Sequence, residues 1–503
     1  MPVKILKLIS DQSGPFSASN NKVDITVPSY IGYSDLSKTC VVVNLQLTND
    51  AGVAIGLFDA GFQNGMDAGC LIKNCSISAT NTGTIESIAA ANVLTQNMKQ
   101  LTADFEDNEA AHVYGYETSV SQSNAQGNGT FIKKRRVGNV YSEQKSYLKI
   151  PLSTLFGIAK MNQFPNGLFG DLKISIEFED DVDIIHKLFK QIATTGIQGV
   201  TQPAPNPSQS INVTRSRPNG GMFYVGQPIR TSANASASPP TYTPNEIVSI
   251  DYSAANDALT FNLKTSVTWS ATASNNLIQP LVGVADSTLN YKINDVDLVL
   301  YQWMLAPKQI QSLNAKMKKG INLQFQTFKL ERLNMGQVVG NNTFHKQFDL
   351  ESNVVNVFGM MPHVPSAGAS TPNPLFSRYD SVKSYRWRLN GKDTTNQDVL
   401  PLQYLYHDRL LATMANGFHR VKNLNLNKNR KGTEFDLAMP TNQTDDPQTF
   451  IIPAPIPLNN VPQTIQLRMH QNSMDSTTDK IFYLYKQCRH QVNLKSNQPV
   501  KVN

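Results

Sequence analysis

The amino-acid sequence predicts an all-β protein built as two large β domains, with a few short helices and long polar loops. Three observations carry that expectation. Apolar and polar residues alternate in run after run along the chain, the period-2 signature of half-buried strands. The chain has 503 residues, and a β sandwich or barrel closes as one domain at up to roughly 200–250 residues, so two such units fit. The stretch Asp286–Arg332 reads strand, helix, strand, which closes one β region and opens another.

Taken in order, Met1–Asn21 is polar with little periodicity and reads as an arm. Strands follow where Val23, Ile25 and Val27 alternate up to Pro28, where Val41, Val43, Leu45 and Leu47 alternate with Val42, Asn44 and Gln46, and over Leu71–Ile77. A helix is expected over Thr84–Leu101, with Thr84 as N-cap and Ile85, Ile88, Ala91, Leu94, Met98 and Leu101 on one face. Glu106–Gln144 has no sustained pattern and reads as a long excursion. It holds the one dense basic run, Lys133-Lys134-Arg135-Arg136, which no aromatic stacking platform surrounds. Tyr147–Leu152 is a strand. Leu172, Ile174, Ile176 and Phe178 mark another, and a short helix is expected over Val182–Ile192. Asp180, Asp181 and Asp183 sit near its positive end, and Lys187 and Lys190 toward its other end. Thr194–Glu246 is rich in Pro, Gly, Ser, Asn and Ala and reads as irregular chain before a strand over Leu259–Trp269.

In the central stretch, Leu289, Tyr291 and Ile293 alternate with polar residues. After Asn294-Asp295 the phase slips, and Val296, Leu298 and Leu300 continue on the other register, as a β-bulge requires. Pro307 suits a first helical position because it lacks an N–H. Ile310, Leu313 and Met317 mark one helical face, Gly320 ends the helix, and Ile321, Leu323 and Phe325 resume the alternation. The second half repeats the outline. Strands are expected over Phe344–Leu350, Val354–Phe358 and Ser384–Leu389, with a turn at Asn390-Gly391. A helix over Pro401–Asn416 is followed by Gly417, and the closing strands are Thr464–Met469 and Lys480–Lys486. Pro-rich loops, Met361–Pro374 and Pro440–Pro462, separate these elements.

Composition narrows the function classes. Charged residues are 17% and hydrophobic ones 40%, against a usual charged share of about 25%, which excludes disorder and a highly charged filament. The net charge of +7 is a mild excess spread along the chain, so it does not by itself indicate nucleic-acid binding. Cys40, Cys70, Cys75 and Cys488 are too irregularly placed for a disulfide framework or paired zinc motif, and read as small buried residues. The apolar run in MPVKILKLIS is too short for a signal-peptide core, and no run reaches the ~18 residues of a membrane span.

Searches for chemistry return little. The sequence holds no Walker loop, no G-x-G-x-x-G opening a helix, no H-E-x-x-H and no G-x-S-x-G. His112, His186, His345, His363, His407, His419, His470 and His490 are scattered and form no ligand pair. Asp295 and Asp297 share one strand face, whereas glycosidase carboxylates usually come from different strands. The acidic run EFEDDVD matches no ion loop, and a helix start accounts for it. No catalytic, cofactor-binding or metal-binding residue is assigned.

Several motifs together resemble a known family. FPNGLFGDLKISIEFED (164–180), a long insertion, then YKINDVDLVLYQW (291–303) and a short helix are similar to the first half of double jelly-roll major capsid proteins. YRWRLNGKDTTNQ (385–397), PAPIPLNNVPQTIQLRMH (453–470) and KIFYLYKQCRHQVNL (480–494) resemble the late strands of the second half. Those proteins belong to icosahedral double-stranded DNA viruses: polinton-like viruses, virophages and the nucleocytoplasmic large DNA viruses. The short length favours the smaller polinton-like or virophage side. The resemblance implies two consecutive jelly-roll β-sandwiches: an arm at 1–21, a first roll with long insertions at 22–306, a connecting helix at 307–320 and a second roll at 321–503.

It also implies a non-enzymatic structural protein of the virion, made in the host cell without a signal peptide. A homotrimer would form a pseudo-hexameric capsomer, and capsomers would tile an icosahedral shell around the genome. Implied partners are neighbouring capsomers, penton and minor capsid proteins, and non-specific contact with viral DNA. No cofactor and no small-molecule substrate are implied. Glu106–Gln144, Thr194–Glu246 and the two Pro-rich loops would form an outer turret and inter-subunit contacts, while Lys4 and Lys7 on the arm would meet DNA or an inner protein. The alternative reading is a secreted β-sandwich carbohydrate-binding or adhesin protein, which expects a signal peptide and a calcium site or an aromatic sugar platform.

Overall fold

The structure is a computed structural model. It describes residues 3–49, 54–55, 60–62, 66–102, 116–118, 130–132, 135–137, 140–142, 146–191, 197–198, 206–214, 228–234, 243–253, 258–280, 289–318, 320–337, 340–362, 375, 377, 382–401, 404–416, 450–455, 461–473, 479–494 and 501–502.

Eight strands of the first half recur in the same order in the second. The first set is β1 (Val3–Ile9), β2 (Lys22–Val27), β3 (Ser34–Asn49), β4 (Ile72–Ala79), β5 (Gly83–Ile88), β6 (Ser146–Pro151), β7 (Leu172–Phe178) and β8 (Leu289–Trp303). The second is β9 (Ile321–Gln337), β10 (Gly340–Leu350), β11 (Val354–Met360), β12 (Val382–Leu389), β13 (Lys392–Asp393), β14 (Ile451–Pro455), β15 (Gln463–Ser473) and β16 (Asp479–Leu494). The sheets run β1-β8-β3-β6 and β2-β7-β4-β5, then β9-β16-β11-β14 and β10-β15-β12-β13. Counted within each half, both give the orders 1-8-3-6 and 2-7-4-5. Among the described residues, the three longest helices complete the plan: α1 (Ala91–Thr102), α2 (Pro307–Lys318) and α3 (Tyr404–Asn416). α1 and α3 occupy the same connection, fifth strand to sixth, in the two halves, and α2 joins the halves.

The alternation read from the sequence is what buries the core. Val23, Ile25 and Val27 on β2 and Leu172, Ile174, Ile176 and Phe178 on β7 all lie inside, with Ile174 paired to both Ile25 and Ile77. The facing sheet contributes Val41, Val43, Leu45 and Leu47 from β3 and Tyr291, Ile293, Val296, Leu298 and Leu300 from β8. Phe178 meets Tyr291 across the sandwich with ring centroids 6.5 Å apart, and Phe348 meets Phe482 across the second one at 6.2 Å. The bulge in β8 falls where the phase slips. Ile293 pairs with Leu45 and Val296 with Val43, so three steps on β8 match two on β3, and both apolar residues point inward. The buried residues of both halves form one continuous cluster.

Four expectations are corrected. Residues 1–21 are not a free arm: β1 pairs along β8 from Val3↔Trp303 to Ile9↔Asp297, and Phe16 is fully buried. Phe16 exchanges backbone hydrogen bonds with Ile293 at 2.7 and 2.8 Å. Gly14 lies against the bulge so closely that a Cβ there would meet the Asn294 carbonyl oxygen at 2.1 Å. The expected helix over Thr84–Leu101 is a hairpin strand followed by a shorter helix. Gly83, at φ +74°, turns the chain back onto β4, and a bulge there places Ile85 and Ile88, spaced like helical neighbours, on the inner side of β5. Helix Val182–Leu188 stops early, because Phe189–Gln191 becomes a strand paired with Ala60–Phe62.

Thr194–Glu246 is not merely irregular chain. Strands within it and just beyond it, from Ile197–Gln198 to Leu277–Pro280, form a six-stranded sheet inserted between β7 and β8. This sheet has its own small core of Ile211, Ile229, Ile247, Phe261, Leu263 and Trp269. The strands inside the segment, Ile197–Gln198, Ser208–Thr214 and Pro228–Ser232, are short and separated by Pro- and Gly-rich links, so composition averaged over it hides them. Within Glu106–Gln144, Tyr116–Thr118 and Thr130–Ile132 pair with each other, and Arg135–Val137 pairs with Val140–Ser142. Lys133 and Lys134 lie outside the described residues, as do the Pro-rich loops for most of their length.

Candidate functional site

Among the described residues, the carboxylates singled out in the sequence have structural partners. Asp297 is 5% exposed and its carboxylate takes an ion pair from Lys7 at 2.9 Å; Asp295 accepts from Asn44 Nδ2 at 3.0 Å. This pair links β1 to β8, and Asp297 holds the Lys7 ammonium above the ordinary range. In the acidic run, Asp181 caps helix Val182–Leu188 by accepting from Asp183 N at 3.0 Å and Ile184 N at 3.4 Å. Asp180 pairs with Lys73. Glu179 is buried and accepts from Asn92 Nδ2 at 2.8 Å and Asp181 N at 3.2 Å; burial pushes its carboxyl up. The run therefore ties β7 to β4 and α1.

The four cysteines are free and buried, and burial pushes the Cys70 and Cys75 thiols well above their ordinary value. His490 stacks on Phe325 at 5.3 Å, and His470 contacts Thr343 Oγ1 at 3.1 Å. Among the described residues, no group of three His, Cys, Asp or Glu side chains could hold a metal ion.

The most ordered polar constellation instead joins the two halves. Glu86 on β5 is 2% exposed and accepts from the backbone N–H groups of Gly157 and Ile158 at 2.9 and 3.0 Å, and from the Thr327 hydroxyl on β9. Burial raises its carboxyl to about 7 against those hydrogen bonds, and burial lowers the neighbouring Lys160 ammonium. Gly157 sits on the edge of β9, where a Cβ would meet the Gln326 carbonyl oxygen at 1.5 Å. Nearby, Tyr485 Oη donates to the Ala90 carbonyl at 3.0 Å. Asn97 of α1 donates to the Leu375 carbonyl at 2.8 Å and accepts from Ser377 N at 2.9 Å. A fully buried Asn satisfied from the other half fixes one relative placement, since any shift would strand its polar atoms.

These contacts cover an edge. β9 is the first strand of the 1-8-3-6 sheet in its half, paired among the described residues with β16 alone, and Phe325 and Thr327 at its middle are buried. Its counterpart β1 pairs, among the described residues, with β8 alone. Ile5 is 61% and Ile9 72% exposed there. An edge strand with bare apolar side chains is an association surface unless something covers it.

No protein-family model and no curated protein sequence matches the chain. Solved structures do match. A chain of the Sputnik virophage, from its 3.5 Å cryo-electron microscopy structure, aligns over 100% of this chain and 88% of its own, with a TM-score of 0.51 and 9% identity. The fold is a double jelly roll. Further matches are PBCV-1 VP54 fitted into a Sputnik reconstruction (TM-score 0.48, 9% identity, 100% and 96% covered) and the mavirus major capsid protein (0.41, 10%, 99% and 90%). At such identities the likeness is one of fold. Each jelly roll here has the eight strands and two sheets that the name denotes, and the resemblance noted in the sequence holds at that level. What the motifs did not reveal was the junction between the rolls, whose partners are far apart in sequence.

Proposed function

We propose that this chain is the major capsid protein of an icosahedral double-stranded DNA virus, a homotrimer whose six rolls form a pseudo-hexameric capsomer that tiles the shell. The double jelly-roll fold, shared with a chain of a virophage particle, supports the capsid role. In this reading residues 3–303 make the first roll, with its insertions, 307–318 the connecting helix and 321–502 the second roll. Neighbouring capsomers, penton and minor capsid proteins meet the remaining surfaces, and the chain acts in the virion without catalysis.

The observation that carries the trimer is the contrast between two equivalent edges. Within one chain, the β9 edge of the second roll is covered by Gly157 and Glu86 of the first. The equivalent β1 edge leaves Ile5 and Ile9 bare. Because the rolls share one topology, the second roll of a neighbouring copy can cover β1 much as the first roll covers β9. Such a contact is head-to-tail, and a head-to-tail contact that closes makes a ring. With two rolls per chain, a ring closed by three copies would alternate internal and external contacts among six rolls.

Light scattering after size exclusion tests this. Wild-type protein should run at three times the monomer mass. Ile5→Glu with Ile9→Glu should run as a monomer with unchanged circular dichroism and melting. Wild-type protein that stays monomeric at every concentration would overturn the proposal.

A further inference from the structure

The end of the first roll where β8 runs into α2 carries features that the proposed ring does not call on. A cleft of about 500 Å³ opens there, lined by Tyr30, Tyr33, Pro165, Leu168, Trp303 and Met304 among others. Its rim is apolar and bare: Tyr30 is 84% and Met304 48% exposed. Polar atoms in its wall are already engaged, since Trp303 Nε1 donates to the Asn162 carbonyl at 2.6 Å and Gln302 Nε2 to the Ile31 carbonyl at 2.8 Å. The Val3↔Trp303 pairing brings exposed Val3 and Lys4 to the same end.

The helix α2 begins two residues beyond Leu305. Its sequence, PKQIQSLNAKMK, holds three lysines and no acidic residue. Lys308, Gln311, Ser312 and Ala315 are exposed, while Ile310, Leu313 and Met317 recur at helical spacing. Acidic groups at this end are engaged elsewhere: Asp35 accepts from Ser37 Oγ at 2.5 Å and faces Lys38 at 3.7 Å, and Asp171 accepts from Ser29 N at 2.8 Å. A positive, amphipathic helix beside exposed Tyr30 and Met304 and half-buried Trp303 has the chemistry of an interfacial membrane contact.

We propose that this end of the first roll binds an anionic lipid surface. In this arrangement α2 lies along the headgroups, and Tyr30, Trp303 and Met304 enter the acyl boundary. Two observations favour lipid over nucleic acid. The stretch from Leu289 to Gly320 contains lysine but no arginine, and lysine's point charge suits a headgroup layer while arginine's planar fork suits phosphate and base recognition. The apolar rim also has no partner on a nucleic-acid backbone. The proposal does not depend on the capsid reading.

Flotation of the full-length protein with phosphatidylcholine vesicles, with and without phosphatidylglycerol, tests it. The protein should float with the anionic vesicles and not the neutral ones, and added salt should release it. K308Q/K316Q/K318Q should lower vesicle partitioning roughly a hundredfold, about fivefold per lysine. Tyr30→Ser with Met304→Ser should weaken vesicle binding yet leave any binding to double-stranded DNA unchanged. Equal flotation with neutral vesicles, or no flotation at all, overturns the proposal. Anionic binding that ignores Tyr30→Ser/Met304→Ser and is competed away by DNA also overturns it, assigning the lysines to a nucleic-acid contact.

Discussion

At Glu86 two effects oppose each other. Burial disfavours a charged carboxylate, while the N–H groups of Gly157 and Ile158 and the Thr327 hydroxyl favour it. Burial wins, and the carboxyl rises to about 7 from an ordinary 4.5. The group binds its proton more tightly folded than unfolded. Its contribution, on the order of 3 kcal/mol, is therefore fully present below pH about 4.5 and lost as pH rises through about 7. Urea titrations of the wild type should show stability falling between pH 5 and 8. Glu86→Gln should flatten that profile. Gln offers one acceptor oxygen where two N–H groups now have one each, so it should also lower stability at pH 5 by about 1–3 kcal/mol. No local pattern in the sequence points to this role. Spacing places Glu86 inside a helix, and its partner Thr327 lies on a strand of the other roll, so no local pattern connects them. That the acidic run opens a helix, by contrast, was legible, because a helix start acts within its own turn; the structure adds that Asp181 is the residue that caps it.

Strands and their edges set the next level. The β8 bulge was readable from one slipped phase, since a buried strand must keep its apolar residues facing in. β1 was not. Its Leu6 and Leu8 pack inward while Val3, Ile5 and Ile9 stay bare, so apolar residues on both faces erase the alternation. Phe16, docked behind the bulge, is the segment's anchor. Phe16→Ala should cost about 3–5 kcal/mol, measured by chemical denaturation. Removing residues 1–16 should abolish soluble first roll rather than merely free an arm. Gly157→Ala places a methyl group against the Gln326 carbonyl and should lower the melting temperature by forcing the rolls apart. Gly320, at φ +93°, lets the chain leave α2 for β9. A β-branched residue resists that conformation, so Gly320→Val should reduce trimer yield more than it unfolds either roll, as judged by light scattering beside circular dichroism.

For the whole molecule, the order of strands was legible and the insertion was not. The two halves share the sequence order of strands, a helical crossing and closing strands, and the structure resolves this into identical 1-8-3-6 and 2-7-4-5 sheets. The six-stranded insertion escaped because its first three strands, of two to seven residues, are brief and the links between them dominate the composition. In the proposed trimer the twofold internal repeat would let three chains make six similar positions, and the bare β1 edge is where the copies would meet. Electron microscopy of the purified protein tests that claim most directly. The account predicts class averages of a closed ring with six lobes and threefold symmetry, in which every β1 edge is covered by a second roll. Single two-lobed particles, or open chains of them, would contradict it.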